Sequence, residues 1–528
     1  MNWFRSLFTL LGLAIVAAVA WYYYNNYIEE GGDYGENALS ERISDSPAAS
    51  GDESRPPAAA PINYPLGAVE GEVILHFRTT KDYKAYLARL AAAGAPPLGQ
   101  IDELMAVRVS EGAFRAVPTD GYEREASFSY RIQRPPEPVE IAPEAMASLQ
   151  AYSMSAGNIV GGLVDGGDGA GVLVGILDSG IVAHAQFDET YIVNIDLVGG
   201  GVDGSGAEHG TSVASIISGS EGIAPAAELF VVRVLDDEGA GSSYDVAMGI
   251  IQAVDMGVDV LNMSIGVYQD SQILRDAISY ARQKDVIMVA AAGNDGYAQL
   301  PFPAAYPGVI SVTAIDAKGQ QALFPNQSDS IDFAAPGVGI LTAAQDEGTT
   351  LFSGTSAAAP FVTGTLAALL SMNEELGPQQ TVELLKRFLN EAGKAGPDPI
   401  YGGGIMDWDR LRERRQAGLL DLAVADVHLD RDALPGTMMP IEVTVQNRGT
   451  AWLASAELEV MLGDEEPMAF TVGSLSPGQI TTREVFTQVP SAGTEDVLRV
   501  TARVLPPDIN RDIRLNNNLK AVTYRPKN

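Results

Sequence analysis

The run SGTSAAAPFVTG, residues 353–364, sets one serine, Ser356, ahead of three alanines and a proline. Such a serine caps a helix by offering its oxygen to unpaired N–H groups of the first turn. It becomes a nucleophile only if a base removes its proton, because a free hydroxyl attacks poorly near neutral pH. That base must itself titrate near neutrality, which points to histidine. The histidine needs a buried carboxylate to fix its tautomer and stabilise the imidazolium. Charge then develops on the attacked carbonyl oxygen, and preorganised donors must meet it. Asp178, His209, Asn294 and Ser356 supply one each of carboxylate, base, donor and nucleophile, the set that acyl transfer requires. A serine at a helix start adds its own N–H and the positive end of the helix dipole.

Three of these parts depend on where strands and helices end. From about 142 to 415 apolar strands alternate with helical segments, the signature of a doubly wound parallel α/β sheet. GVLVGILDSG, ELFVVRVL, VDVLNMSIG and DVIMVAAAGN read as buried strands; SSYDVAMGIIQAVDMG and SQILRDAISYARQKD read as helices between them. Ligand sites in open parallel sheets gather at the carboxyl ends of strands. The first strand ends in Asp178, the third in Ser264-Ile265-Gly266 and the fourth in Asn294. His209 and its followers Gly210 and Thr211 stand at a helix start, where a short turn aims the ring at those ends. His184, in the loop after Asp178, reads as an ordinary hydrogen-bonded residue, while His76 and His428 lie in other parts of the chain.

The four motifs resemble those of the subtilisin-like serine peptidases, the subtilases. VGILDSGI is similar to that family's aspartate motif, HGTSVAS to its histidine motif, AAAGNDG to its oxyanion asparagine motif and SGTSAAAP to its serine motif. The order Asp, His, Ser is that of subtilisin. The connecting segments EGIAPAAELFVVRVL, FPAAYPGVISVTAI and DFAAPGVGI resemble the family too. The resemblance implies a serine endopeptidase acting on protein or peptide substrates. In it Asp178 orients the base, His209 is general base and then acid, and Ser356 is the nucleophile. The Asn294 amide and the Ser356 N–H form the oxyanion hole. Ser264, Ile265 and Gly266, with Ala291, Ala292 and Gly293, line the substrate strand and the P1 pocket. No cofactor and no metal are implied, because the chain has no room for the longer calcium-binding loop between HGTSVASIISGS and EGIAPAAEL. Three positions depart from the pattern: Ser212 stands where a second histidine is usual, Ala357 where a large residue is common, and Phe361 where histidine is common.

Composition bounds the rest. The 528 residues suffice for about three domains. A formal charge of −34 repels nucleic-acid phosphates and anionic lipid headgroups, which sets both aside as ligands. The absence of cysteine excludes disulfides, thiolate catalysis and Cys-based zinc sites. Residues 1–24 hold the apolar run WFRSLFTLLGLAIVAAVAWYYY, with Arg5 before it and acidic residues after it. It reads as a single-pass membrane anchor or, through Ala18-Val19-Ala20, as a cleaved signal peptide; either exports the chain that follows. Residues 25–65 form an acidic Gly/Ser/Pro-rich linker.

Residues 66–135 read as a compact α/β domain: the strand EVILHF, the helix TKDYKAYLARLAAAG, then LMAVRVS and ASFSYRIQ. It resembles the inhibitory propeptide of subtilases, which makes it a partner of its own peptidase domain, although a second helix is hard to see. RPPEPVE follows, and self-cleavage between about 134 and 150 would release the peptidase domain from the membrane segment. Residues 417–528 lose helical periodicity and read as an immunoglobulin-like β-sandwich of short strands. VTVQNRGTAW and RLNNNLKAV there resemble bacterial adhesion-type (CARDB-like) domains. Two competing readings of the whole are weaker: a nucleophile-elbow esterase needs G-x-S-x-G, absent at Ser356, and a catalytically silent scaffold would not need all four parts.

Overall fold

The computed structural model describes residues 62–134 and 149–524, apart from breaks at 163–165, 202–203, 205, 346, 373–375, 431–432 and 491–496. The apolar run expected at 1–24, the linker up to residue 61 and the proline-rich stretch after Arg134 lie outside the described residues.

Four strands, β1 (Glu72–Phe77), β2 (Gly99–Ile101), β3 (Ala106–Ser110) and β4 (Arg124–Ser127), form an antiparallel sheet in the order β2-β3-β1-β4. The helix α1 (Thr80–Ala92) begins where the Thr79 hydroxyl accepts from the Asp82 N–H, and it lays Tyr83, Tyr86 and Leu90 on one sheet face. A second helix, α2 (Glu111–Ala116), is capped by Ser110. Its six residues are too few to show a period in sequence. The run ASFSYRIQ, expected as one strand, is two: β4 and then β5 (Arg131–Gln133). The break has a cause. The Tyr130 N–H donates to Ser243 Oγ, the Ser243 N–H to the Tyr130 carbonyl and the Tyr244 N–H to Ser129 Oγ. Those bonds take the chain off its own sheet and onto the next domain.

That domain is built on seven parallel strands in the order β13-β12-β11-β10-β6-β8-β7. They are β6 (Leu173–Asp178), β7 (Ile192–Asp196), β8 (Glu228–Arg233), β10 (Val260–Met263), β11 (Ile287–Ala291), β12 (Val309–Ile315) and β13 (Phe333–Pro336); the short β9 (Ala240–Ser242) lies outside the sheet. After α3 (Ala156–Val160), the helices α4 (Glu208–Ile217) and α7 (Thr355–Met372) cover one face. α5 (Ser243–Met256) and α6 (Gln272–Gln283) cover the other. Val174 and Ile176 of β6 pack with the first pair and Leu177 with the second. With both faces covered, such a strand is a continuous apolar run rather than an alternation. Among the described residues one helix, α7, is long and apolar enough to cross a membrane, and it is the buried core helix.

The outer face of the N-terminal sheet is buried in the second of these cores. Ile74, Ile101, Ala106 and Ile132 share a cluster with Tyr244, Ala247, Ile273 and Ala277. Arg108 stacks over Tyr244 at 4.3 Å and pairs with Asp245 at 3.4 Å. Strand β5 then pairs antiparallel with β9, and Gln133 exchanges two backbone hydrogen bonds with Gly266 (3.1 and 3.3 Å).

After α8 (Pro378–Lys386) and α9 (Trp408–Glu413) the described chain is β-strands with two short 3-10 turns, Ile509–Arg511 and Leu515–Asn517. A three-stranded sheet (Leu422–Leu429, Met438–Asn447 and Ile480–Gln488) and a four-stranded sheet (Met468–Val472, Ala456–Leu462, Leu498–Leu505 and Leu519–Tyr524) enclose an apolar core. This sandwich is fastened to the peptidase-like domain by Gln446, which donates to the Leu389 carbonyl and accepts from the Glu391 N–H. Arg514 bridges Glu413 and Asp421 at 2.7 Å each.

Candidate active site

Asp178 closes β6 and is fully buried, its Oδ1 accepting from the Ser179 N–H at 2.7 Å. His209 is the second residue of α4, and its Nδ1 lies 2.8 and 3.0 Å from the two Asp178 oxygens. A helix can start this close to the strand end because the next residue is Gly210. A Cβ there would run into the Gly180 carbonyl oxygen. The Phe352 ring meets the imidazole edge-on at 5.2 Å. The carboxylate thus holds Nδ1 and favours the tautomer protonated there, the one a general base requires.

Asn294 follows β11 through Gly293, whose φ of 92° only glycine adopts freely. Its Oδ1 accepts from both the Thr355 N–H (2.9 Å) and the Thr355 hydroxyl (2.8 Å). The amide orientation is therefore fixed by the residue next to Ser356. Gly354, at φ 127°, makes room, since a Cβ there would stand 3.0 Å from Asn294 Nδ2.

Ser356 is the second residue of α7 and 2% exposed. Its Oγ is buried without a hydrogen-bond partner among the described residues. The proline of the motif has a structural role. Pro360 has no N–H for the carbonyl four residues earlier, and that carbonyl is Ser356's. Ser264 Oγ donates to it instead at 3.2 Å. Asn262 Nδ2 donates to Ser264 Oγ (3.1 Å), and Thr363 Oγ1 donates to Asn262 Oδ1 (2.9 Å). The substrate-side strand end at 264–266 is thereby tied to the residue expected to attack. Asn262, Thr363, Pro360, Gly354 and Phe352 were not singled out from the sequence. Only Pro360 carried a local signal, a proline inside a helical pattern.

The expected substrate residues Ser264, Ile265, Ala291 and Ala292 are buried, and Gly266 presents the backbone edge that Gln133 occupies. A cavity of about 270 Å³ adjoins that edge, lined by Gly266, Tyr268, Gly293, Asp295 and Pro301, with Gln133 across from them. The departures are accommodated. Ser212 accepts from Thr342 Oγ1 (3.0 Å) and donates to the Ala343 carbonyl (3.3 Å). Phe361 is fully buried, 5.8 Å from the Trp408 ring. Ala357 is fully buried beside Ser356 and carries no sulfur. Activity is therefore expected to survive mild hydrogen peroxide, assayed as residual turnover; inactivation would contradict this. Of the other histidines, His184 bonds the Gly348 carbonyl and the Gln186 N–H, and His76 bonds Ser127. Among the described residues no three His, Cys, Asp or Glu side chains are grouped to hold a metal.

Residues 169–404 match the family model described as the subtilase family (peptidase S8), and residues 419–520 match the CARDB model. The chain is 33% identical over 251 residues to the minor extracellular protease Epr of Bacillus subtilis, covering 46% of this chain and 38% of Epr. It is 33% identical over 260 residues to the thermostable alkaline protease of Halalkalibacterium halodurans, covering 46% of this chain and 68% of that protein. With subtilisin DY of Bacillus licheniformis the identity is 33% over 252 residues, covering 45% of this chain and 90% of that protein. Among solved structures, the prenylagaramide maturation protease PagA matches at 32% identity and a TM-score of 0.42, over 46% of this chain and 93% of that one.

Proposed function

Because this chain belongs to the subtilase family of serine endopeptidases, we propose that it hydrolyses peptide bonds through Asp178, His209 and Ser356. His209 takes the Ser356 proton through Nε2 as Oγ attacks the substrate carbonyl. Asp178 stabilises the imidazolium that forms. The Asn294 amide and the Ser356 N–H receive the oxyanion, and the α7 dipole favours that negative charge. Collapse breaks the C–N bond, His209 returns the proton to the leaving amine, and water then releases the acyl group by the same route. The reading rests chiefly on the buried His209–Asp178 pair at 2.8 Å, carried on a helix packed against the one that begins at Thr355 and Ser356.

We further propose that residues 66–135 act as an inhibitory propeptide within an exported zymogen. The support is β5, which lies between the β9 edge and Gly266 where an extended substrate would bind. The Arg134 N–H still donates to the Gly239 carbonyl at 3.1 Å. The apolar run at 1–24, and the word extracellular in the name of Epr, favour export. Release then follows self-cleavage between about residues 134 and 150.

The test labels the full chain with a fluorophosphonate before and after incubation. The label is expected to be slow to enter the intact chain and fast to enter a fragment lacking the N-terminal 134 residues. No label under either condition would favour the scaffold reading. Equal labelling of the intact chain and the fragment would remove the inhibitory role of β5.

A further inference from the structure

We propose that Pro301 is the residue that sets substrate choice, restricting the residue on the acyl side of the cut bond to alanine, serine or glycine. This rests on the peptidase reading above. It starts from the Gln133–Gly266 pair, which exchanges both backbone hydrogen bonds. In an antiparallel ladder the next such pair lies two residues along each strand. A substrate in this register therefore sets a residue opposite Ser264, whose hydroxyl bonds the Ser356 carbonyl. That residue is the one delivered to the nucleophile. Its side chain falls on the same strand face as the residue opposite Gly266, and Arg131, Gln133 and Arg134 of the strand now in that place line the cavity.

Pro301 lines that cavity. A Cβ placed on Gly266 would lie 2.9 and 3.0 Å from Pro301 Cβ and Cγ, and one on Gly293 would lie 3.2 Å from Pro301 Cδ. The pyrrolidine ring thus already fills the gap between the two glycines. It has no rotamer by which to step aside. It is also pinned from behind, because Val267 and Phe302 exchange backbone hydrogen bonds of 2.9 and 2.7 Å. The rim is equally built: the Tyr268 hydroxyl donates to Asp295 Oδ2 at 2.5 Å and accepts from Asn326 Nδ2 at 2.8 Å. On this proposal a methyl or hydroxymethyl group is accepted above the proline ring, whereas a leucine or phenylalanine side chain has to pass beside it into the open part of the cavity.

A methylene is worth about 10–200-fold in such discrimination. The full-length enzyme after incubation for self-processing, and its Pro301→Gly and Pro301→Ala variants, would be assayed on fluorogenic peptides differing only in Ala, Leu or Phe at the acyl position. Fluorophosphonate labelling counts active sites in each preparation. The wild type is expected to favour Ala over Phe by about 100-fold in kcat/KM. The variants are expected to gain on Phe and Leu at least about 10-fold more than any change on Ala. A labelled wild type that cuts after Phe or Leu as readily as after Ala overturns the proposal alone, as does an unchanged profile in labelled variants. If neither variant takes label, the wild-type profile decides. A wild type that takes no label overturns this proposal and the peptidase reading together.

Discussion

Ser356→Ala is expected to remove turnover by about 10⁶-fold, the scale reported for loss of the nucleophile in subtilisin, while leaving the fold intact. The two halves of that expectation have separate grounds. The chemical half follows from the proposed role of the hydroxyl as the bond-forming group. The structural half follows from its surroundings. Ser356 Oγ is buried and makes no hydrogen bond among the described residues, so its removal breaks none of those bonds. Leaving a buried hydroxyl unpaired costs about 1–3 kcal/mol, and alanine is the better helix former. The variant is therefore expected to be as stable as the wild type or more so. Serine kept at a stability cost fits a functional position better than a cap. Peptide turnover and the urea midpoint, measured together, decide this. The variant should also stay full length on incubation. Turnover near the wild-type rate would overturn the assignment of Ser356. A fall in midpoint would mean that its role is structural. Processing identical to the wild type would leave the nucleophile standing and end the self-cleavage proposal.

The parallel sheet was readable in sequence because its strands are buried on both faces. Each therefore stands out as an uninterrupted apolar run with a polar stop, as at Asp178 and Asn294. The histidine was readable because it sits at a helix start, a local event. Contacts between distant segments were not. Nothing in the neighbourhood of Pro360 announces that its missing N–H frees a carbonyl for Ser264, ninety-two residues earlier than Ser356. Nothing near Tyr130 announces that its backbone pairs with Ser243 and so cuts one expected strand into β4 and β5. The six-residue α2 fell below the length at which a helical period can be seen. The place of the Pro301 ring is another contact between distant segments. Its effect comes from two glycines, Gly266 and Gly293, on different strand ends.

Asn294→Ala is expected to lower kcat by about 10²–10³-fold with little change in KM, the scale known for the oxyanion asparagine of subtilisin. A donor that meets charge only in the transition state leaves substrate binding largely alone. Alanine, however, does two things here. It removes the Nδ2 donor, and it removes the Oδ1 that accepts from the Thr355 N–H and hydroxyl. The second loss loosens the start of α7 and could by itself displace Ser356. Asn294→Asp separates the two. It keeps an oxygen for Thr355 to donate to, and it replaces the donor with a second oxygen that repels the developing oxyanion. If the asparagine works as a donor, Asp should lose at least as much kcat as Ala while retaining the wild-type urea midpoint and the fluorophosphonate-accessible serine. If its work is to anchor Thr355, Asp should recover most of the rate that Ala loses. The sign of the difference between the two variants therefore distinguishes electrostatic stabilisation from positioning, whatever the absolute loss in either.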